Sequence, residues 1–197
     1  LKILAFSDIH GDKNLLEQLA NQSEKENVEL VIIGGDFSPR NQTDTAPPYL
    51  VSAFTKKGKK VLVIHGNHES EATTKLLEET YGLKTIHGDY AAFGDIGIFG
   101  CGGANISPFP VSEEEIFQTL KKGFEQIKNK TKKIMVTHSH PSGTIMEKFS
   151  QHVQGSTAVR KAIDQFKPDI VICGHVHEAQ GIEETIGKTR IINVAKT

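Results

Sequence analysis

Short apolar runs alternate along the chain with stretches of helical periodicity. Leu1 to Phe6, Val28 to Ile33 and Val61 to Ile64 read as buried strands. Between and after them, Leu15, Leu16, Leu19 and Ala20 recur at helical spacing, Tyr49 to Lys57 follows Pro47 and Pro48 as a second helix, and Leu76, Leu77 and Tyr81 mark a third that Gly82 closes. This strand–helix alternation predicts a largely parallel sheet. Tyr90 to Phe93 and Ile96 to Phe99 then flank Gly94-Asp95 as a hairpin, so the sheet system is expected to turn antiparallel there. Ser112 with Glu115 forms a capping box, and the helix it opens carries Ile116, Leu120, Phe124 and Ile127 on one face. Ile134 to Thr137 is a further strand. Ala158 to Phe166 is an amphipathic helix stopped by Pro168, and Ile170 to Cys173 and Arg190 to Val194 are the last strands. Ser38 to Ala46 and Ser139 to Ser156 read as loops. Without an internal repeat or a low-complexity linker, residues 1–197 are expected to form a single domain.

Composition narrows the function. Hydrophobic residues make up 37% and charged residues 24%, the range of ordinary soluble proteins. The apolar runs are too short to span a bilayer and no leader-like segment opens the chain, so a cytoplasmic protein without a membrane partner is expected. The net charge is −1, which argues against stable binding to nucleic-acid duplexes. The one dense basic cluster, Lys56, Lys57, Lys59 and Lys60, surrounds Gly58 and reads as a solvated turn. Cys101 and Cys173 lack metal or redox spacing and read as small buried hydrophobes, as fits a reducing compartment. If the protein handles phosphate, the positive charge must come from elsewhere, and bound metal is the obvious source.

The acids and histidines give that idea a location. Asp8 and His10 follow the first strand, Asp36 the second, Asn67, His68 and Glu69 the third, His138 the strand ending at Thr137, and His175 and His177 the strand ending at Cys173. Ligands of α/β sheets bind outside the carboxyl ends of strands, so five strands deliver these side chains to one edge. Carboxylate, amide oxygen and imidazole without thiolate suit manganese, iron, cobalt, nickel or zinc. Residues two apart in extended chain share a face, so Asp8 with His10 and His175 with His177 can each serve one centre. Glycines precede Asp36, Asn67 and His175 and are expected to free the backbone to turn. Taken singly, each motif is weak, because a strand-end histidine is more often a hydrogen-bonded structural residue than a ligand. His65 and His87 are read in that structural way. The motifs carry weight together and in this order.

The series Asp8-x-His10, Gly35-Asp36, Gly66-Asn67-His68-Glu69, His138 and Gly174-His175-x-His177 resembles the calcineurin-like metallophosphoesterase superfamily across nearly the whole chain. The segment from His152 through Gly155-Ser156 to His177-Glu178 resembles its small prokaryotic, Icc-related branch. The resemblance implies an α/β fold of two mixed β-sheets packed as a sandwich and flanked by helices. It implies two divalent metal ions, manganese first, with Asp8, His10 and His177 on one, Asn67, His138 and His175 on the other, and Asp36 bridging. It makes His68 a catalytic residue that assists the leaving group or stabilises the transition state. Three positions depart from the family pattern: Pro39 stands where a second Asp is common, Glu69 where Asp is common, and Asn193-Val194-Ala195 where the narrower branch has Asn-Pro-Gly. The Asp-Arg-Gly run of the superfamily's protein phosphatases is missing after Asp36, whereas every expected metal ligand is present, unlike in non-catalytic scaffolds on this fold.

His140, His152 and Ser156 are candidate substrate contacts on the Ser139 to Ser156 loop, His140 being equally readable as a solvated loop histidine. The expected reaction is hydrolysis of a small-molecule phosphate ester by a hydroxide bridging the metals. With Asp8, Asp36 and that hydroxide, two divalent ions leave one positive charge. This matches a phosphodiester, while a monoester remains the alternative.

Overall fold

The computed structural model describes residues 1–45, 48–150 and 153–196. Its first half contains β1 (Ile3–Phe6), α1 (Lys13–Lys25), β2 (Leu30–Ile33), α2 (Pro48–Thr55), β3 (Lys60–Val63), α3 (Glu71–Tyr81) and β4 (Lys84–Thr85). The second half contains β5 (Tyr90–Phe93), β6 (Ile96–Cys101), α4 (Glu113–Ile127), β7 (Lys132–Thr137), α5 (Thr157–Phe166), β8 (Ile170–Cys173), β9 (Glu183–Ile186) and β10 (Thr189–Asn193), with short 3₁₀ turns at Ile145–Lys148 and His177–Ala179.

The strands form two sheets, ordered β1-β2-β3-β4 and β5-β6-β7-β8-β10-β9. Every pairing in the first is parallel. The second is antiparallel only at its edges, β5 on β6 and β9 on β10; its centre from β6 through β7 and β8 to β10 is parallel. The hairpin at Gly94-Asp95 therefore reverses one strand and not the sheet system. After it, α4 and α5 act as crossovers and restore parallel pairing. Only the second sheet is mixed.

Side-chain alternation explains the layering. In β2, Leu30 and Ile32 enter a cluster between the sheets with Leu62, Ile98, Ile134, Val136 and Ile172, whereas Val31 and Ile33 face a second cluster with Leu16, Leu50, Phe54 and Leu77 from α1, α2 and α3. In β7, Met135 points the other way, into a third cluster with Leu120 of α4 and Val159 and Ile163 of α5. The central strands are thus buried on both faces, which is why they read as continuous apolar runs. The layers stack helix, sheet, sheet, helix. Ser112 caps α4 by accepting from the Glu115 N–H at 3.2 Å, and Ser156 caps α5 by accepting from the Val159 N–H at 3.1 Å. Among the described residues, no helix is long and apolar enough to cross a membrane. Three of the four lysines around Gly58 are tied down: Lys57 pairs with Glu24, Lys59 Nζ donates to the Val28 carbonyl, and Lys60 lies over the Phe93 ring; Lys56 is exposed.

Candidate metal centre

The carboxyl ends of the two sheets meet. The Ser7 N–H donates to the Val194 carbonyl at 3.0 Å and the Gly103 N–H to the His65 carbonyl at 2.9 Å across them, while the Asp8 N–H donates to the Gly35 carbonyl within the first sheet and the Gly174 N–H to the His138 carbonyl within the second. Along this seam, among the described residues, lie three overlapping groups of side chains whose potential ligand atoms fall within 4.8 Å of one another: Asp8, His10 and His177; His10, Asp36 and His68; Asp36, His138 and His175.

The geometry of approach differs from simple strand extension. β1 ends at Phe6, and Asp8 and His10 have φ of 60° and 47°; Asp36 and His175 have φ of 51° and 71°. Left-handed backbone at non-glycine residues is costly, and here it gathers at the cluster. Each chain reverses as it leaves its strand, and His177 opens a 3₁₀ turn. The two pairs converge because of these reversals, not because they share a strand face. Two of the preceding glycines also act by proximity, not by an unusual φ. A Cβ on Gly66 would overlap Asp36 Oδ1, and one on Gly174 would lie 2.6 Å from Asp8 Oδ2.

Asp36 is central. Its Oδ2 lies 3.5 Å from His138 Nε2, 3.8 Å from His10 Nε2 and 4.0 Å from His68 Nε2, while its Oδ1 accepts from the His68 N–H at 2.9 Å. His138 Nδ1 donates to the Gly34 carbonyl at 2.9 Å, which fixes the ring and turns Nε2 inward. Asn67 Nδ2 donates to the Ser107 carbonyl at 3.1 Å, so its amide oxygen faces His138 Nε2 at 3.2 Å. Asp8 Oδ2 accepts from the His175 N–H at 3.0 Å, and its Oδ1 lies 3.2 Å from His177 Nε2 without a formed hydrogen bond.

The protonation pattern is that of a site arranged for cations. Burial would raise Asp36, but the His138 charge and hydrogen bond, together with the His68 N–H, outweigh it and hold the carboxyl well below the usual range. Asp8 is also held low, against burial, chiefly by His177. Burial would lower His138, but Asp36 reverses this and raises it to about 10. Burial lowers His10 to about 4, and burial with the nearby His138 charge lowers His175 to about 3. A proton on His138 thus offsets buried carboxylates that a metal ion would neutralise. The buried atoms Asp8 Oδ1, His10 Nδ1 and His68 Nδ1 have no hydrogen-bond partner. Unpaired buried donors and acceptors are expensive, and this oxygen and nitrogen set fits divalent metal.

Glu69 supports the cluster from behind. It is fully buried; Oε2 accepts from the Asp36 N–H at 2.9 Å and the Gly66 N–H at 3.0 Å, and Oε1 from the Ser38 N–H at 2.7 Å. Burial, with the Asp36 charge adding to it, raises its pKa to about 7.

A cleft of about 400 Å³ opens over the cluster, lined by His10, Asp36, Arg40, Asn67, His68, Ser150, Val153, His175, His177 and Glu178. Sequence reading gave Arg40 no role. Arg40 Nη2 lies 3.2 Å from His177 Nδ1 and puts a cation at the cleft wall. Its place four residues after Asp36 was the available signal. His140 is neither solvated nor in this cleft: it is fully buried, with neither ring nitrogen partnered. The loop folds over it, with the Ser156 N–H donating to the His140 carbonyl at 2.8 Å. Burial lowers His140 to about 4. Ser156 lines an adjoining cavity, but its hydroxyl is engaged, donating to Glu113 while accepting from Val159. His152 lies outside the described residues. His65 and His87 sit together away from the cleft, Nε2 to Nδ1 at 3.2 Å, and His87 Nδ1 accepts from the Gly102 N–H at 3.0 Å, a structural arrangement.

The family model for calcineurin-like phosphoesterases matches residues 1–179. An uncharacterized protein of Methanocaldococcus jannaschii is 28% identical over 204 residues, spanning 98% of this chain and 87% of that protein. Among solved structures, TT1561 of Thermus thermophilus superposes with a TM-score of 0.77 at 15% identity, covering 98% of this chain and 88% of the other. A dimetal phosphatase from Danio rerio gives 0.66 at 14% identity, with coverage of 98% and 87%. An archaeal phosphodiesterase gives 0.58 at 18% identity, with coverage of 100% and 84%. At these identities the structures speak for the fold alone, and they carry both diester and phosphatase names.

Proposed function

The chain belongs to the calcineurin-like phosphoesterase family, and from that premise we propose that it hydrolyses a small-molecule phosphodiester at a centre of two divalent metal ions. Asp8, His10 and His177 would hold one ion, Asn67, His138 and His175 the other, and Asp36 would serve both. The observation that carries this reading is Asp36, whose Oδ2 has the Nε2 atoms of His10, His68 and His138 within 4.0 Å and which is shared by two of the three side-chain groups. Manganese is the first choice on donor chemistry, since nitrogen and oxygen ligands without thiolate suit it, with iron, zinc, cobalt and nickel behind it.

Bound at these residues, the ions would activate water and neutralise phosphate charge. The chain supplies the rest. The contact to Gly34 orients His138, and the contact to Ser107 turns the Asn67 oxygen inward. His68 lines the cleft beside Asp36, its side chain 25% exposed, where it can hand a proton to the departing oxygen. No side chain is required as a covalent nucleophile. Asp8 and Asp36, with the nucleophile's own charge, leave one positive charge to meet a singly charged diester.

Arg40 favours a second reading. A further cation on the cleft wall would suit a doubly charged monoester, which makes phosphomonoesterase the alternative. Manganese-loaded protein should be assayed on bis(p-nitrophenyl) phosphate and p-nitrophenyl phosphate. Higher kcat/KM on the diester is expected. Turnover of the monoester alone would transfer the assignment to phosphatase, and turnover of neither, with metal content verified, would sink the hydrolase reading.

A further inference from the structure

A second cavity, of about 280 Å³, adjoins the metal cleft. The two share Val153 and His175 in their walls, so they lie side by side. We propose that this smaller cavity is the subsite for an uncharged organic group carried on the phosphorus, and that it selects against a group bearing a second phosphate. The inference rests on the phosphodiester reading of the metal cleft.

Charge is divided between the two compartments. Arg40 and five of the seven candidate metal ligands, His10, Asp36, Asn67, His175 and His177, line the cleft. Among the described residues of the smaller cavity there is no lysine or arginine, and apart from His175 its one ionisable side chain is Glu113. Glu113 is built into the wall: Oε2 accepts from Ser156 Oγ at 2.8 Å, Thr157 Oγ1 at 3.0 Å and the Ala158 N–H at 2.6 Å. An anion entering this space would meet a fixed carboxylate, with no lysine or arginine among the described lining residues to offset it.

The remaining surface suits a neutral ring. Ile106 and Val153 supply apolar area. Ser156 and Thr157 spend their hydroxyl protons on Glu113, and Ser139 Oγ donates to the Gly103 carbonyl at 3.2 Å. The amides of Asn105 and Gln154 hydrogen-bond to no other described residue and offer donors and acceptors alike. The volume holds about one substituted ring system, since sites for drug-sized ligands begin near 300 Å³.

Three diesters with the same leaving group isolate the substituent: methyl p-nitrophenyl phosphate, thymidine 5′-(p-nitrophenyl phosphate), and the latter carrying a 3′-phosphate. With manganese-loaded protein, kcat/KM for the thymidine ester should exceed that for the methyl ester by at least about tenfold, the low end of what one pocket contact confers. The 3′-phosphorylated ester should fall back to the methyl value or below. Asn105→Trp, at an exposed cavity position, should collapse the thymidine-to-methyl ratio towards one, and Gln154→Lys should raise the 3′-phosphorylated ester relative to thymidine. A wild-type ratio within twofold, or equal turnover of the 3′-phosphorylated ester, would overturn the subsite while leaving the hydrolase reading intact. Calorimetric binding of thymidine 5′-phosphate against thymidine 3′,5′-bisphosphate reads the subsite without turnover. Tighter binding of the monophosphate supports it, and equal or weaker binding overturns it even if no ester is hydrolysed.

Discussion

Asp36 and His68 meet through a backbone contact that separates their roles. The His68 N–H donates to Asp36 Oδ1, so the main chain at His68 orients the carboxylate, and its imidazole remains free to line the cleft. In His68→Ala the N–H survives. Metal content is therefore expected to stay unchanged while maximal rate falls by roughly 10²–10⁴-fold, the range of general acid catalysis. The loss should be smaller for a nitrophenolate leaving group than for an alkoxide, because nitrophenolate departs without a proton. Equal losses would make His68 a charge stabiliser, and loss of a metal ion would make it a ligand. Asp36→Asn is expected to be worse than Asp8→Asn in both metal content and turnover, since Asp36 alone is proposed to touch both ions. Elemental analysis and rate of the two variants side by side check this, and an Asp36→Asn protein with full metal and near-normal rate would remove the bridging assignment.

At the scale of elements, the site is a set of strand exits, and Glu69 ties two of them together. Its carboxylate receives N–H groups from Asp36 and Ser38 after β2 and from Gly66 after β3. Glu69→Gln keeps the shape but turns an NH₂ towards N–H donors, leaving at least one buried donor unpaired at about 1–3 kcal/mol. Weaker metal binding by calorimetry is expected, together with a lower melting temperature of the metal-free protein. Unchanged metal affinity would confine Glu69 to a fold-stabilising role. The strand exits were also the legible part of the sequence. Apolar runs announced β1, β2, β3, β7 and β8, with glycine soon after β2, β3 and β8, and the residue types that follow announced the cluster. What escaped was short, polar or tertiary. β4 is the dipeptide Lys84–Thr85, and β9 is the edge segment Glu183–Ile186, held partly by an Arg190–Glu183 pair at 2.7 Å, so neither carries an apolar pattern. Arg40 and the burial of His140 depend on how loops fold back, which periodicity does not encode. The left-handed φ at Asp8, His10, Asp36 and His175 likewise leaves no trace in a run of residue types.

At the scale of the molecule, the proposed ligands come from both sheets. Asp8, His10, Asp36 and Asn67 follow β1, β2 and β3, whereas His138, His175 and His177 follow β7 and β8. Each proposed ion draws on both sheets, and so does the shared Asp36 with its approach to His138. Metal should therefore act as a clamp across the sandwich, stabilising the native state by mass action. At a free concentration 100 times Kd, binding of one ion adds about 2.7 kcal/mol. For a chain of this length each kcal/mol raises Tm by about 2–4 °C, so saturating manganese should raise it by roughly 5–11 °C for each ion bound. Elemental analysis of the saturated protein should give two ions per chain. His138→Ala, which removes a ligand on the second sheet, and Asp8→Asn, which removes one on the first, should each reduce the shift, because either breaks a link between sheets. One ion or fewer at saturation would refute the two-metal centre. A full Tm shift in both variants would show that manganese binds elsewhere and that the seam between the sheets is not where the chain holds it.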